Sequence, residues 1–360
     1  MNPATRAPSL IALAALLAAS PGSAQTSLAD AEGLRGITVQ EGIAVTEAGL
    51  RVRTYLSRPA GTRGRLPAVL FVQWLSCDPV RLRPGARDGW TTMLRGLIER
   101  SGMVVMRTEK PGLGGSEGPP CSSLDYETDL SAHRAALRAL LASPEIATDS
   151  VFVFGASMGG TMAPLLARDA PVRGVMVWGA TGYSWKEHLR RLHRRVLSLR
   201  GMAPSEIERR MPLHERLLTA YLDQGIAPPE VIRRAPELGP VWAAMLGTGP
   251  DHQYGRPFRF HQQAQHADWT AAWAAVRAPV LIAYGDYDWL MAPEEHLRIA
   301  ELVNAAAPGR AETVAVHGSD HHFELYPSVD AAFAGRGGSP NAAASDVFLR
   351  WLSRQRGNRQ

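Results

Sequence analysis

The sequence predicts an α/β protein built on a mostly parallel central sheet, with helices on both faces and a helical cap inserted before the penultimate strand. Three observations carry that prediction. Continuous apolar runs of strand length recur at 68–72, 103–106, 151–154, 174–178, 279–284 and 312–316. Runs apolar on both faces suit a parallel sheet buried on both sides. Helical patterns at 88–100, 126–142, 158–168, 293–306 and 344–354 separate them, as parallel strands require of their connections. Between Val177 and Val280 no strand-like run occurs, and helical patterns broken at Pro204, Pro212, Pro228 and Pro229 fill the interval. Ahead of all these, 37–57 alternates like a β-hairpin around the turn Glu47-Ala48-Gly49. The expected organisation is a linker at 25–36, a core in two parts at 37–181 and 278–356, and a cap at 182–277.

The first 24 residues read as a secretory signal peptide. Arg6 precedes the apolar run 10–19, and Ser20-Pro21-Gly22-Ser23-Ala24 offers a small-residue cleavage site. The run is far shorter than the roughly 20 residues that span a bilayer. An exported protein, periplasmic or extracellular, is expected, cleaved near Ala24. Export in turn makes Cys77 and Cys121, the only two cysteines, a candidate disulfide. Closing a loop of about 45 residues would stabilise the fold by about 4 kcal/mol at most.

With 45% apolar and 20% charged residues, disorder and collagen-like repeats are excluded. The net charge of +5 comes from 39 basic residues, of which only Lys110 and Lys186 are lysines. That surplus is local. The segment 185–200 carries Lys186, Arg190, Arg191, Arg194, Arg195 and Arg200 against Glu187 alone, beside an apolar stripe of Trp185, Leu189, Leu192, Val196 and Leu199. The rest of the chain is near neutral, which argues against nucleic acid as a partner. A solvated cap face or a contact with an anionic surface are the two readings of 185–200.

Two segments match G-x-S-x-G, at 114–118 and 155–159. A nucleophile elbow needs a strand before the serine and a helix after it. Gly155-Ala156-Ser157-Met158-Gly159 follows the apolar run 151–154 and opens a helical pattern, whereas Ser116 runs into Gly118-Pro119-Pro120. Ser157 is therefore the candidate nucleophile. A serine hydroxyl needs a base that is itself oriented by an acid. Acids occur after the run 279–284, in Gly285-Asp286-Tyr287-Asp288-Trp289. Histidines occur after 312–316, in His317-Gly318-Ser319-Asp320-His321-His322-Phe323.

These motifs, in the order Ser, Asp, His, resemble the α/β-hydrolase superfamily over nearly all the chain beyond the signal. Arg107-Thr108-Glu109-Lys110-Pro111-Gly112 with Gly114 and Ser116 also looks like the superfamily's R-x-D-x-P-G-x-G-x-S loop, with Glu109 in place of aspartate. The resemblance implies Asp288, the fourth residue of G-x-x-D, as the acid, and His321 as the base. It implies an oxyanion hole from the N–H of Met158 and a second donor after the first parallel strand. There Gln73-Trp74-Leu75 stands where the family has His-Gly-x, and Leu75 is the candidate donor. Trp74, Trp289 and His322 are candidate pocket residues. A Cys77–Cys121 bridge would pin the oxyanion loop.

The glycines of 112–118 open no helix and form no nucleotide loop, and no metal-binding motif is found. No cofactor is expected. The expected activity is hydrolysis of a small-molecule carboxylic ester through an acyl-enzyme. A peptidase of the same fold, a haloperoxidase-like enzyme and an idle binding protein are the alternatives.

Overall fold

The computed structural model describes residues 27–245 and 249–357, so the signal peptide expected at 1–24 lies outside the described residues. The chain opens with α1 (Leu28–Glu32), the hairpin β1 (Ile37–Val45) and β2 (Arg51–Pro59), and then β3 (Leu66–Val72). Next come α2 (Gly89–Arg100), β4 (Val104–Thr108), α3 (Tyr126–Ala142), β5 (Ile146–Ala156), α4 (Met158–Asp169) and β6 (Gly174–Trp178). The cap comprises α5 (Trp185–Leu199), α6 (Pro204–Leu218), α7 (Pro228–Arg234), α8 (Gly239–Ala244), the short pair β7 (His252–Gln253) and β8 (Arg256–Pro257), α9 (Phe258–His266) and α10 (Trp269–Ala275). The core resumes with β9 (Val280–Gly285), α11 (Pro293–Ala306), β10 (Ala311–Val316), α12 (Val329–Phe333) and α13 (Ala344–Gly357).

Eight strands form one sheet in the order β1-β2-β4-β3-β5-β6-β9-β10. The pairs β1/β2 and β2/β4 are antiparallel and the rest parallel. Both faces are buried because both side-chain sets of each central strand are apolar. Ala68, Leu70 and Val72 of β3 face a core shared with α3, α4 and the cap. Val69 and Phe71 of the same strand face α2 and α13. Helix starts are set by side-chain caps: Asp88, Asp125 and Ser184 accept the N–H groups of Thr91, Thr128 and Glu187.

Two expectations change. The stretch 25–36, expected as a linker, contains α1, whose Glu32 makes a buried fork with Arg107, Oε1 to Nη1 at 2.9 Å and Oε2 to Nη2 at 2.7 Å. Pro212, expected as a helix break, lies inside α6. An interior proline costs about 3 kcal/mol, and the burial of Ile207, Met211, Leu217 and Leu218 around it holds the helix together.

Candidate active site

Parallel strands deliver their following loops to one sheet edge. Residues 73–75 follow β3, Ser157 follows β5, 286–288 follow β9 and 317–323 follow β10. Ser157 sits between β5 and α4 with φ 54° and ψ −119°, a region that costs a non-glycine residue energy. The turn is tight enough to exclude side chains beside it. A Cβ on Gly155 would come within 2.3 Å of the Gly159 carbonyl oxygen, and one on Gly159 within 2.1 Å of the Val72 carbonyl oxygen. The small residues of 155–159 thus let strand and helix close on each other and hold the serine out.

The Ser157 Oγ lies 2.8 Å from His321 Nε2, and His321 Nδ1 lies 2.7 Å from Asp288 Oδ2. Asp288 Oδ1 accepts the N–H groups of Leu290 and Met291, each at 2.9 Å. Burial alone would raise the Asp288 carboxyl, but the attraction and hydrogen bond of His321, with His296 and the Met291 N–H, hold it below its ordinary value. It is a fixed anion against one ring nitrogen. The neighbouring candidates go elsewhere: Asp286 pairs with His317 at 2.7 Å and His322 with Asp320 at 3.1 Å. Ser116, of the other G-x-S-x-G, accepts the Arg53 N–H in a loop.

Met158 opens α4, so its N–H is among the helix donors without an intrahelical acceptor. The loop after β3 is gripped by two buried cations. Lys110 Nζ donates to the Trp74 carbonyl at 2.7 Å. Arg256, reaching from β8 in the cap, donates to the Leu75 carbonyl through Nε at 2.8 Å and Nη2 at 2.6 Å, and to the Cys121 carbonyl at 2.7 Å. The Asp129 carboxylate stands 3.8 Å from Lys110 and 3.4 Å from Arg256. Cys77 and Cys121 are joined as a disulfide, their Cα atoms 5.8 Å apart. Glu109, at the family's aspartate position, accepts the Val80 N–H at 3.1 Å, and burial raises its carboxyl.

Ser157, Met158, Leu75 and His321 line a cavity of about 700 Å³ beneath the cap. Trp74 and His322 line it as well. Trp289 does not: its ring packs on Phe333, 5.1 Å between centroids, while the next two residues, Leu290 and Met291, line the cavity. Trp90, which packs on Trp74 at 4.6 Å, and the cap residues His188, Leu192 and Tyr254 also line the cavity, and none of them was expected there from the sequence. Lys110 and Arg256 were likewise not expected to hold this loop. A lysine within the R-x-E-x-P loop of a chain with only two lysines was the one available signal.

The basic residues of α5 are largely paired within the chain. Arg190 and Arg191 hold Glu187, Arg194 holds Glu208, Arg195 reaches Glu295, and Lys186 holds Glu215 and Asp223.

The family model for the alpha/beta hydrolase fold matches residues 83–324. The chain belongs to that family. Solved α/β structures bear out the fold. The esterase domain of a Rhodothermus marinus protein has 20% sequence identity and a TM-score of 0.50, over 88% of this chain and 99% of that one. Carboxyl esterase 2 of Tuber melanosporum has 13% identity and a TM-score of 0.51, over 89% and 87%. An acylaminoacyl peptidase of Pyrococcus horikoshii has 11% identity and a TM-score of 0.54, over 89% of this chain and 42% of that one. A search of curated protein sequences finds no match. Among the described residues, no helix is long and apolar enough to cross a membrane.

Proposed function

We propose that this α/β hydrolase cleaves small-molecule carboxylic esters by acyl transfer through Ser157. The observation that carries the reading is the Ser157–His321–Asp288 hydrogen-bond chain opening on the cavity under the cap. His321 Nε2 takes the hydroxyl proton as Ser157 Oγ bonds to the acyl carbon, and Asp288 keeps the second ring proton on Nδ1. The imidazolium then gives its proton to the departing alkoxide, leaving an acyl-enzyme. Water repeats the sequence with His321 again as base, and the acid product leaves. No cofactor takes part in these steps.

Charge that develops on the carbonyl oxygen is met by the N–H groups of Met158 and Leu75. Lys110 contributes to this through the peptide between Trp74 and Leu75. In a trans peptide the C=O and N–H point in opposite directions, so the bond from Lys110 to the Trp74 oxygen turns the Leu75 N–H away from Lys110. The two core segments at 37–181 and 278–356 carry this chemistry and the cap at 182–277 roofs the substrate. Export fits the pattern of residues 1–24 and the disulfide, and an anionic surface is not part of the reading because the α5 arginines already hold carboxylates.

The test is a panel of p-nitrophenyl acyl esters of increasing length beside aminoacyl anilides. Ester turnover with kcat/KM well above that on the anilides is expected. Preferential turnover of the anilides would replace the ester reading by a peptidase.

A further inference from the structure

A second imidazole–carboxylate pair faces the same cavity, and the acyl-transfer steps do not use it. His188 lies on α5, is 2% exposed, and lines the cavity with Ser157 and His321. Its Nδ1 is 2.7 Å from Oε2 of Glu295, a fully buried residue at the start of α11. The other oxygen of Glu295 accepts the Ala292 N–H at 3.1 Å and stands 3.5 Å from Arg195. Burial would raise the Glu295 carboxyl, but His188, Arg195 and the Ala292 N–H together hold it below its ordinary value. The ring itself leans on Trp185, 5.0 Å between centroids. Among the described residues, Nε2 of His188 has no protein partner.

A carboxylate acceptor at Nδ1 fixes where the ring proton sits. In the tautomer that donates from Nδ1 to Glu295, Nε2 carries no proton. Nε2 then presents a lone pair to the cavity, where Trp74, Trp90, Leu192, Leu290 and Met291 make an apolar wall and Asp78, Arg81, Arg83 and Asp88 a charged one. An acceptor fixed in that way, with no protein donor, favours a ligand that brings one. We infer that His188, oriented by Glu295, is the specificity anchor of the pocket, and that the preferred ester carries a hydroxyl or amide N–H on the part enclosed by the cap.

The inference rests on the acyl-transfer reading and deepens it. A site built to hydrogen-bond a substrate group discriminates against the analogue that lacks it, since its own polar atom is then left unpaired. A plain ester offers the His188 acceptor no donor, while a hydroxylated one does. The effect of one neutral hydrogen bond is about tenfold in kcat/KM.

The test uses the full-length protein and straight-chain p-nitrophenyl esters hydroxylated at successive acyl carbons, with a parallel set of esters hydroxylated on the alcohol side. Each is compared with its unsubstituted parent and its methoxy analogue, and only the ratio within one enzyme sample is read, so the folded fraction cancels. Wild type should prefer the hydroxylated ester about tenfold at one position at least, over both parent and methoxy analogue. His188→Leu should abolish that preference. Glu295→Gln offers Nδ1 an amide donor, moves the ring proton to Nε2, and should narrow the hydroxy-to-methoxy ratio in particular. A preference that survives in His188→Leu, or no preference in wild type at any position, would overturn the inference while leaving Ser157 chemistry intact. Failure of wild type to turn over any ester, parents included, would instead overturn the acyl-transfer reading and this inference with it.

Discussion

Lys110→Met probes the proposed oxyanion loop without touching a residue proposed to contact substrate. The lysine is buried, with Nζ 2.7 Å from the Trp74 carbonyl oxygen. Methionine keeps much of the side-chain volume and removes the ammonium. The Trp74–Leu75 peptide loses its charged donor, and the Leu75 N–H is no longer held in one direction. Losing an oxyanion donor outright costs about 10²–10³ in kcat. Other restraints remain, the Arg256 bonds to the Leu75 carbonyl, the Gln73 bond to the Thr108 carbonyl and the Cys77–Cys121 disulfide, so the loop keeps part of its shape. The expected fall is about 10–100-fold in kcat, or about 1.4–2.8 kcal/mol on the barrier, with little change in KM because the donor matters most once charge has developed. Asp129 is not stranded, since Arg256 stays 3.4 Å away.

The same lysine gives the reaction a pH signature. Burial pulls its pKa down to about 8, with Arg256 acting in the same direction and Asp129 and Glu109 opposing. Its proton is lost as pH rises through that value, and a neutral amine is the weaker donor. Wild-type kcat should therefore fall on the alkaline side, and Lys110→Met should lack that limb. Steady-state ester hydrolysis across neutral to alkaline pH, with circular dichroism to establish folding, reads both effects. A folded Lys110→Met protein with unchanged kcat and the same alkaline limb would refute the reasoning.

Two further outcomes follow from the geometry. Asp288→Asn should lower kcat by about 10⁴, because an amide donor facing Nδ1 moves the ring proton to Nε2 and leaves His321 unable to accept from Ser157; Asp286→Asn, remote from His321, should have a far smaller effect, and equal losses would contradict the assignment. Reducing the disulfide, or Cys121→Ser, should lower the free energy of unfolding in urea by about 4 kcal/mol at most for its sequence separation of 44, and an unchanged unfolding midpoint would show that the bridge does not constrain the chain.

What could be read in the sequence was what is local. The helices at 126–142 and 293–306 were legible to the residue because Asp125 caps one and Pro293 opens the other. Ser157 was separable from Ser116 because an elbow is defined by its immediate neighbours. The role of α1 was not legible, since Glu32 is unremarkable until Arg107 meets it across 75 positions. His188 falls beside the apolar stripe of α5, and its orientation depends on Glu295, which lies 107 positions away. Arg256 follows a turn in the cap, and nothing around it in sequence shows that it reaches Leu75. Trp289 adjoins the acid, yet the turn after Asp288 carries its ring outward to Phe333 and brings Leu290 and Met291 inward.

The central claim is that Ser157 is the nucleophile. The most direct measurement is mass spectrometry of the protein after treatment with an alkyl phosphonate probe. The account predicts a single adduct on the wild-type peptide containing Ser157, parallel loss of ester hydrolysis, and no adduct in Ser157→Ala. An adduct of equal extent in both proteins, or full hydrolysis by Ser157→Ala, would contradict it.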